Sequence, residues 1–157
     1  MFWWNLQLLK FDNYRVRRRA VRWMGQSHDK RAIRPVTSAL SDRHYLVRKA
    51  AAQALGEVGQ EQALKPLLAL AEESFHYAMA RIAVHALHKV LVRTATRAND
   101  KDLEKAAILG DVSGFHRRHL VGMAFFTEAS HFKHWTVDCS GVRNLACREL
   151  FRRGVTK

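Results

Sequence analysis

The chain has 157 residues, of which 48% are hydrophobic, so it is long enough for one domain with a core and too apolar for global disorder. Lys and Arg number 27 against 14 Asp and Glu, and the formal charge of +13 points to an acidic protein, nucleic acid or an anionic membrane surface without bearing on the fold. Two cysteines cannot build a disulfide framework, and no apolar run approaches the ~18 residues that span a bilayer.

In chain order, MFWWNLQLLK (1–10) comes first. It has no basic leading region, is short for a secretion signal and is followed by Asp12, so the chain is read as a cytoplasmic protein. A helix lying flat on a membrane through Phe2, Trp3 and Trp4 is the minor alternative. NYRVRRRAVRWMG (13–25) then loads one short helix with Arg15, Arg17, Arg18, Arg19 and Arg22. HYLVRKAAAQALGEVG (44–59) places Val47, Ala51, Ala54, Leu55 and Val58 on one helical face. Ser41 and Asp42 precede it as expected caps, and Gly56 and Gly59 are expected to close it. GQEQALKPLLALAEE (59–73) is apolar at Ala63, Leu64, Leu67, Leu68 and Leu70, again a helical spacing.

These segments repeat. VRRRAVRWMG (16–25) matches VRKAAAQALG (47–56) at an offset of 31, and RAIRPV (31–36) matches QALKPL (62–67) at the same offset, with Pro35 on Pro66. A weaker copy, MARIAVHALH (79–88), follows at offset 32. VRNLACRELF (142–151) fits the same template through Val142, Arg143, Ala146 and Leu150, as a degenerate last repeat within 139–153. Residues 1–97 therefore form the repeats, and 98–157 a helical C-terminal region.

The pattern carried by VRKAAAQALGEVGQEQALKPLLAL (47–70) and its copies resembles the HEAT repeats, and more narrowly the PBS-lyase HEAT-like form. The resemblance implies an all-α fold, an α-solenoid of roughly three to five antiparallel helix pairs. It also implies that the VRxxAAxALG helix lines the inner, concave surface and the proline-containing helix lies outside. Pro35 and Pro66 correspond to the family's bend in the outer helix. Arg17, Arg48 and Arg143 correspond to its structural arginine near the inter-repeat turn.

On a wheel at about 100° per residue, two rows face away from the buried side of the inner helices. One is Arg18, Lys49 and Arg81. The other is Arg22, Gln53 and His85, extended by Arg148. His88 falls in the outward set of the third copy, and Arg19, in the place of Ala50, stands at the edge of the core. No acidic residue falls in either row. The rows are read as a solvated face or as a binding face, and the two readings carry equal weight.

No catalytic residue, cofactor or metal is assigned. The pairs His85/His88, His116/His119 and His131/His134 are spaced to share a helix face, but no carboxylate stands beside them and the spacings match no structural zinc pattern. SGFHRRHLVGMAFFTEASHFKHW (113–135) is read as a closing helix pair, or as a docking surface through Phe125, Phe126, Phe132 and Trp135. The leading functional reading is a non-catalytic scaffold or adaptor that binds an acidic protein segment on the basic rows. The second is nucleic-acid binding. Behind these stand two relatives implied by the resemblance, the alkylpurine DNA glycosylases and the bilin-lyase subunits. The oligomeric state is left open.

Overall fold

A computed structural model describes residues 2–73, 77–109 and 140–155. Its helices are α1 (Phe2–Leu8), α2 (Tyr14–Gln26), α3 (Ile33–Ser38), α4 (Tyr45–Val58), α5 (Leu64–Glu73), α6 (Tyr77–Thr94), α7 (Asp100–Leu109) and α8 (Ser140–Arg152). They pack in pairs, α1 with α2, α3 with α4, α5 with α6 and α7 with α8. The even-numbered helices also stack on one another in the order α2, α4, α6, α8. This is the expected all-α solenoid, with the even-numbered helices, the expected inner ones, in one row and the odd-numbered helices, the expected outer ones, in the other.

The repeat spacing explains the stack. Val47, Ala51, Leu55 and Val58 of α4 are buried, as are Ala20, Val21 and Met24 of α2 and Ala83, Leu87 and Val90 of α6. In α8, Val142, Ala146 and Leu150 are buried in the same apolar cluster. Side chains at these spacings share one helical face, so each helix can bury its stripe only against a neighbour.

Small residues set how closely the inner helices approach. A Cβ added to Gly25 would lie 2.6 Å from the Cβ of Ala54, and one added to Gly56 would lie 3.0 Å from that of Ala86. The same glycine–alanine contact is thus made twice, once between α2 and α4 and once between α4 and α6. Gly56 lies within α4 and does not close it, as the sequence suggested it would. Gly59 does close it, at φ 64°, with its amide donating to the Leu55 carbonyl at 3.1 Å. At the corresponding point after α2, His28 takes up the same left-handed conformation at φ 51°.

The start of the inner helices also differs from expectation. The α4 cap is His44, whose Nδ1 accepts from the Leu46 amide at 3.2 Å. In α2 the cap is Asn13, whose Oδ1 accepts from the Arg15 amide at 2.9 Å. Asp42 instead accepts from the His44 amide at 2.8 Å, one step ahead of the cap, and its carboxylate turns to Arg17. Ser41 is exposed at the end of a 3-10 turn.

Pro35 and Pro66 sit in the first turns of α3 and α5, each entered through a 3-10 turn, Lys30–Ala32 and Glu61–Ala63. The missing amide does no harm there, because first-turn amides have no partner within the helix. At the other end, Gly154 at φ 72° terminates α8, with the Val155 amide on the Leu150 carbonyl and the Gly154 amide on the Phe151 carbonyl.

Candidate functional site

The stacked helices α2, α4 and α6 together build a groove of 690 Å³. Its floor is Gly25 of α2, Ala50 and Ala54 of α4, and Ile82 and Ala86 of α6. Four of the five are glycine or alanine, so the helices come close and leave little side chain to fill the space above them. Longer polar side chains stand around the floor. They are Arg22, Gln26 and His28 from the first unit, Gln53 and Glu57 from the second, and Arg81, His85 and Lys89 from the third.

Four residues of the expected rows therefore meet at one place: Arg22, Gln53, Arg81 and His85, all exposed. The other three do not line it. Arg18 and Lys49 are half-buried, and Arg148 is exposed on α8. His88 turns away from the groove and packs on Gly141 of α8, where a Cβ would meet its ring at 2.7 Å. His116, His119, His131, His134, Cys139 and the segment 113–135 lie outside the described residues. Cys147 is exposed, and no group of three or more His, Cys, Asp or Glu that could hold a metal occurs among the described residues.

Glu57 belongs to neither row. It lies one turn beyond Gln53 and brings a carboxylate into the groove. Its Oε1 accepts from Lys89 Nζ at 2.6 Å across the α4–α6 contact. That hydrogen bond, with the nearby charges of Lys89, Arg93 and His28, holds the Glu57 carboxyl below its ordinary range against the cost of partial burial. The backbone carbonyl of Glu57 accepts from His28 Nδ1 and Arg93 Nη1, both at 2.9 Å. Glu57 is thus tied to α6 and to the end of α2, and an ionised, paired carboxylate is poorly suited to act as a general acid. Arg22 and Arg81 have no acidic partner among the described residues.

The arginines expected to be structural occupy another place. Arg17 is 5% exposed, and its Nε and Nη2 hold both oxygens of Asp42 at 2.7 and 2.9 Å. Its Nη1 donates to the carbonyls of Phe11 and Asp12, both at 2.7 Å. Arg48 repeats the backbone half of this arrangement 31 residues on, with Nη1 donating to the carbonyls of Asp42 and Arg43 at 2.9 and 3.2 Å. Arg143 is exposed. The corresponding anchor at the far end is Arg153, which no repeat template marks. It donates to the carbonyls of Ala95, Thr96 and Ala98 and pairs with Asp100 and Glu149. Only the fold brings these groups together, since Arg153 lies more than 50 residues from the carbonyls it holds.

A family model described as HEAT repeats matches residues 4–88, a span that begins in α1 and ends in α6. A comparison with curated proteins gives no match.

Proposed function

We propose, from the premise that this chain belongs to the HEAT repeat family, that it is a non-catalytic scaffold whose groove binds an acidic segment of a partner protein. HEAT repeats serve in general as protein-interaction scaffolds. The reading rests on one observation: Arg22 and Arg81, neither with an acidic partner among the described residues, converge with His85 on a floor made mostly of glycine and alanine, while the single carboxylate among the lining residues is already paired with Lys89. Such a surface favours an extended chain with carboxylates, which could lie close to the floor and place its charges against the walls. On this reading residues 1–97 are the repeats that carry most of the binding face, 98–157 are a helical C-terminal region with a degenerate last repeat, and the protein works in the cytoplasm.

Arg22 and Arg81 would also attract phosphate, and the net charge of +13 keeps nucleic acid as the second reading. One titration separates them. A fluorescent oligo-glutamate peptide should bind the native protein, and Arg22→Glu with Arg81→Glu should weaken it by about tenfold or more, because facing like charges repel. Duplex DNA and single-stranded RNA are run alongside. If they bind more tightly than the peptide, with affinity falling steeply as salt rises, the nucleic-acid reading replaces the first. A double variant that binds the peptide as well as native protein removes the groove from either role.

A further inference from the structure

A second surface lies away from the groove, on the first helix pair. In α1 the polar Asn5 is 9% exposed, whereas Trp3 and Trp4 are 74% and 70% exposed. Phe2 and Leu6 of the same helix already pack against the core, so the two indoles stand in water beyond what the helix needs to dock. Phe11, three residues beyond the helix, is 53% exposed. Isolated exposed apolar residues need no explanation, but three large aromatics within nine residues of sequence form a concentration that solvation alone disfavours.

Charge gathers at the same end. Residues 1–34 hold nine Lys and Arg and two Asp, which is more than half of the net charge in under a quarter of the chain. Both aspartates are already engaged, Asp12 by Arg43 at 2.8 Å and Asp29 by Arg31 at 2.7 Å. Lys10, Arg15 and Arg19 are exposed and pair with no described carboxylate. The main contacts of α1 are with α2, and those of α2 are with α1, α3 and α4, so this pair ends the described stack. On α2, moreover, Arg19 and Trp23 occupy the places that Ala50 and Ala54 occupy on α4, where Ala54 receives Gly25 of the preceding helix. A long cation and an indole there replace the small residues that another inner helix would need.

We infer that this end of the solenoid docks on an anionic membrane surface, with Trp3, Trp4 and Phe11 seated among the headgroups and Lys10, Arg15 and Arg19 facing lipid phosphate and carboxylate. Tryptophan suits that depth because its ring is apolar and its N–H is polar. Cations beside it add electrostatic attraction to anionic lipid. The binding is peripheral: no helix among the described residues is long and apolar enough to cross a membrane. A nucleic-acid strand is the weaker match, since stacking platforms set their aromatics within a basic groove, and these rings stand outside the groove described above.

The test uses the whole chain and two kinds of vesicle, phosphatidylcholine alone and phosphatidylcholine mixed with phosphatidylserine. The native protein should sediment with the mixed vesicles and not with the neutral ones. Its tryptophan emission should shift to the blue and be quenched by brominated lipid, a measurement that needs no variant. Trp3→Ser with Trp4→Ser should lower partitioning by about tenfold or more. Arg15→Glu with Arg19→Glu should lower it by at least about fivefold for each cation removed. Arg22→Glu with Arg81→Glu should leave quenching by brominated lipid in place, which separates this surface from the groove. The inference is overturned if native protein ignores the mixed vesicles, or if the folded tryptophan variant partitions as native protein does. It is equally overturned if a single-stranded oligonucleotide or self-association, and not lipid, produces the emission shift.

Discussion

Arg17 of the first helix pair holds both carboxylate oxygens of Asp42, which follows the outer helix of the second pair, at 2.7 and 2.9 Å. The guanidinium is nearly buried, and its remaining nitrogen is taken up by the carbonyls of Phe11 and Asp12. One side chain thus fixes the loop before its own helix and the entry to the next inner helix. Removing either partner leaves the other charge unpaired in a largely dry place. Arg17→Ala and Asp42→Ala should each cost about 3 kcal/mol or more, read from urea midpoints. Arg17→Lys should recover only part of this, because an ammonium cannot form the two-pronged contact. A loss below about 1 kcal/mol in either alanine variant would place the pair among ordinary surface contacts.

Acid stability should report the same contact. The hydrogen bond from Arg17 is the largest influence holding the Asp42 carboxyl below its ordinary range, and the His44 amide and the charge of Arg17 act in the same direction. A carboxyl depressed in the folded state stabilises the fold above its unfolded pKa, and the contribution is lost as pH falls through the folded value. Glu149, held by Arg152 and Arg153, behaves alike, its pKa falling from 4.5 to about 2. The protein should lose stability progressively between about pH 4.5 and pH 2. Asp42→Asn with Glu149→Gln should begin less stable at neutral pH and show a flatter profile across that window, followed by thermal melting. An unchanged slope would mean that other groups dominate the acid limb.

Gly25 offers a test by sign. In an exposed helix Gly→Ala stabilises by about 1 kcal/mol, since glycine loses more backbone freedom on folding. Here the new methyl would stand 2.6 and 2.7 Å from the Cβ and Cα of Ala54. Backbone has to shift, so Gly25→Ala should destabilise by about 1–3 kcal/mol. Gly56→Ala meets Ala86 at 3.0 Å and should be milder. If Gly25→Ala raises the melting temperature, α2 and α4 stand farther apart than this packing requires.

Glu57 is the residue whose removal should improve the groove as an anion site. Its ion pair with Lys89 is about 40% exposed on both sides and is worth at most about 1 kcal/mol to stability. Glu57→Gln should leave melting nearly unchanged while releasing Lys89 and removing the one carboxylate among the lining residues. Affinity for the oligo-glutamate probe should rise severalfold, an effect confined to low salt. Equal affinities for native protein and variant would show that Lys89 takes no part.

The sequence by itself determined the repeat, its register and the buried stripe. Val47, Ala51, Leu55 and Val58 and their copies could be read directly, because apolar spacing along a helix is a local property. It also marked Gly59 as a terminator and placed Arg22, Gln53, Arg81 and His85 in two outward rows, together with Arg18, Lys49 and Arg148. Tyr14, Tyr45 and Tyr77 recur at the repeat offset and stand at the first position of α2, α4 and α6, a local signal of where these helices begin. Tertiary structure decided what an offset cannot carry. It gave Gly56 a close helix contact in place of a turn and moved the cap of α4 from Asp42 to His44. It also brought Glu57 into the groove and turned His88 toward α8. Each of these depends on distances between backbones remote in sequence and on where a side chain points once neighbours surround it. Of the five arginines in residues 13–25, the helical period alone separates the faces. Only the packed neighbours show that Arg17 is buried on Asp42, that Arg22 borders a groove, and that Arg19 stands exposed in the place of a packed alanine.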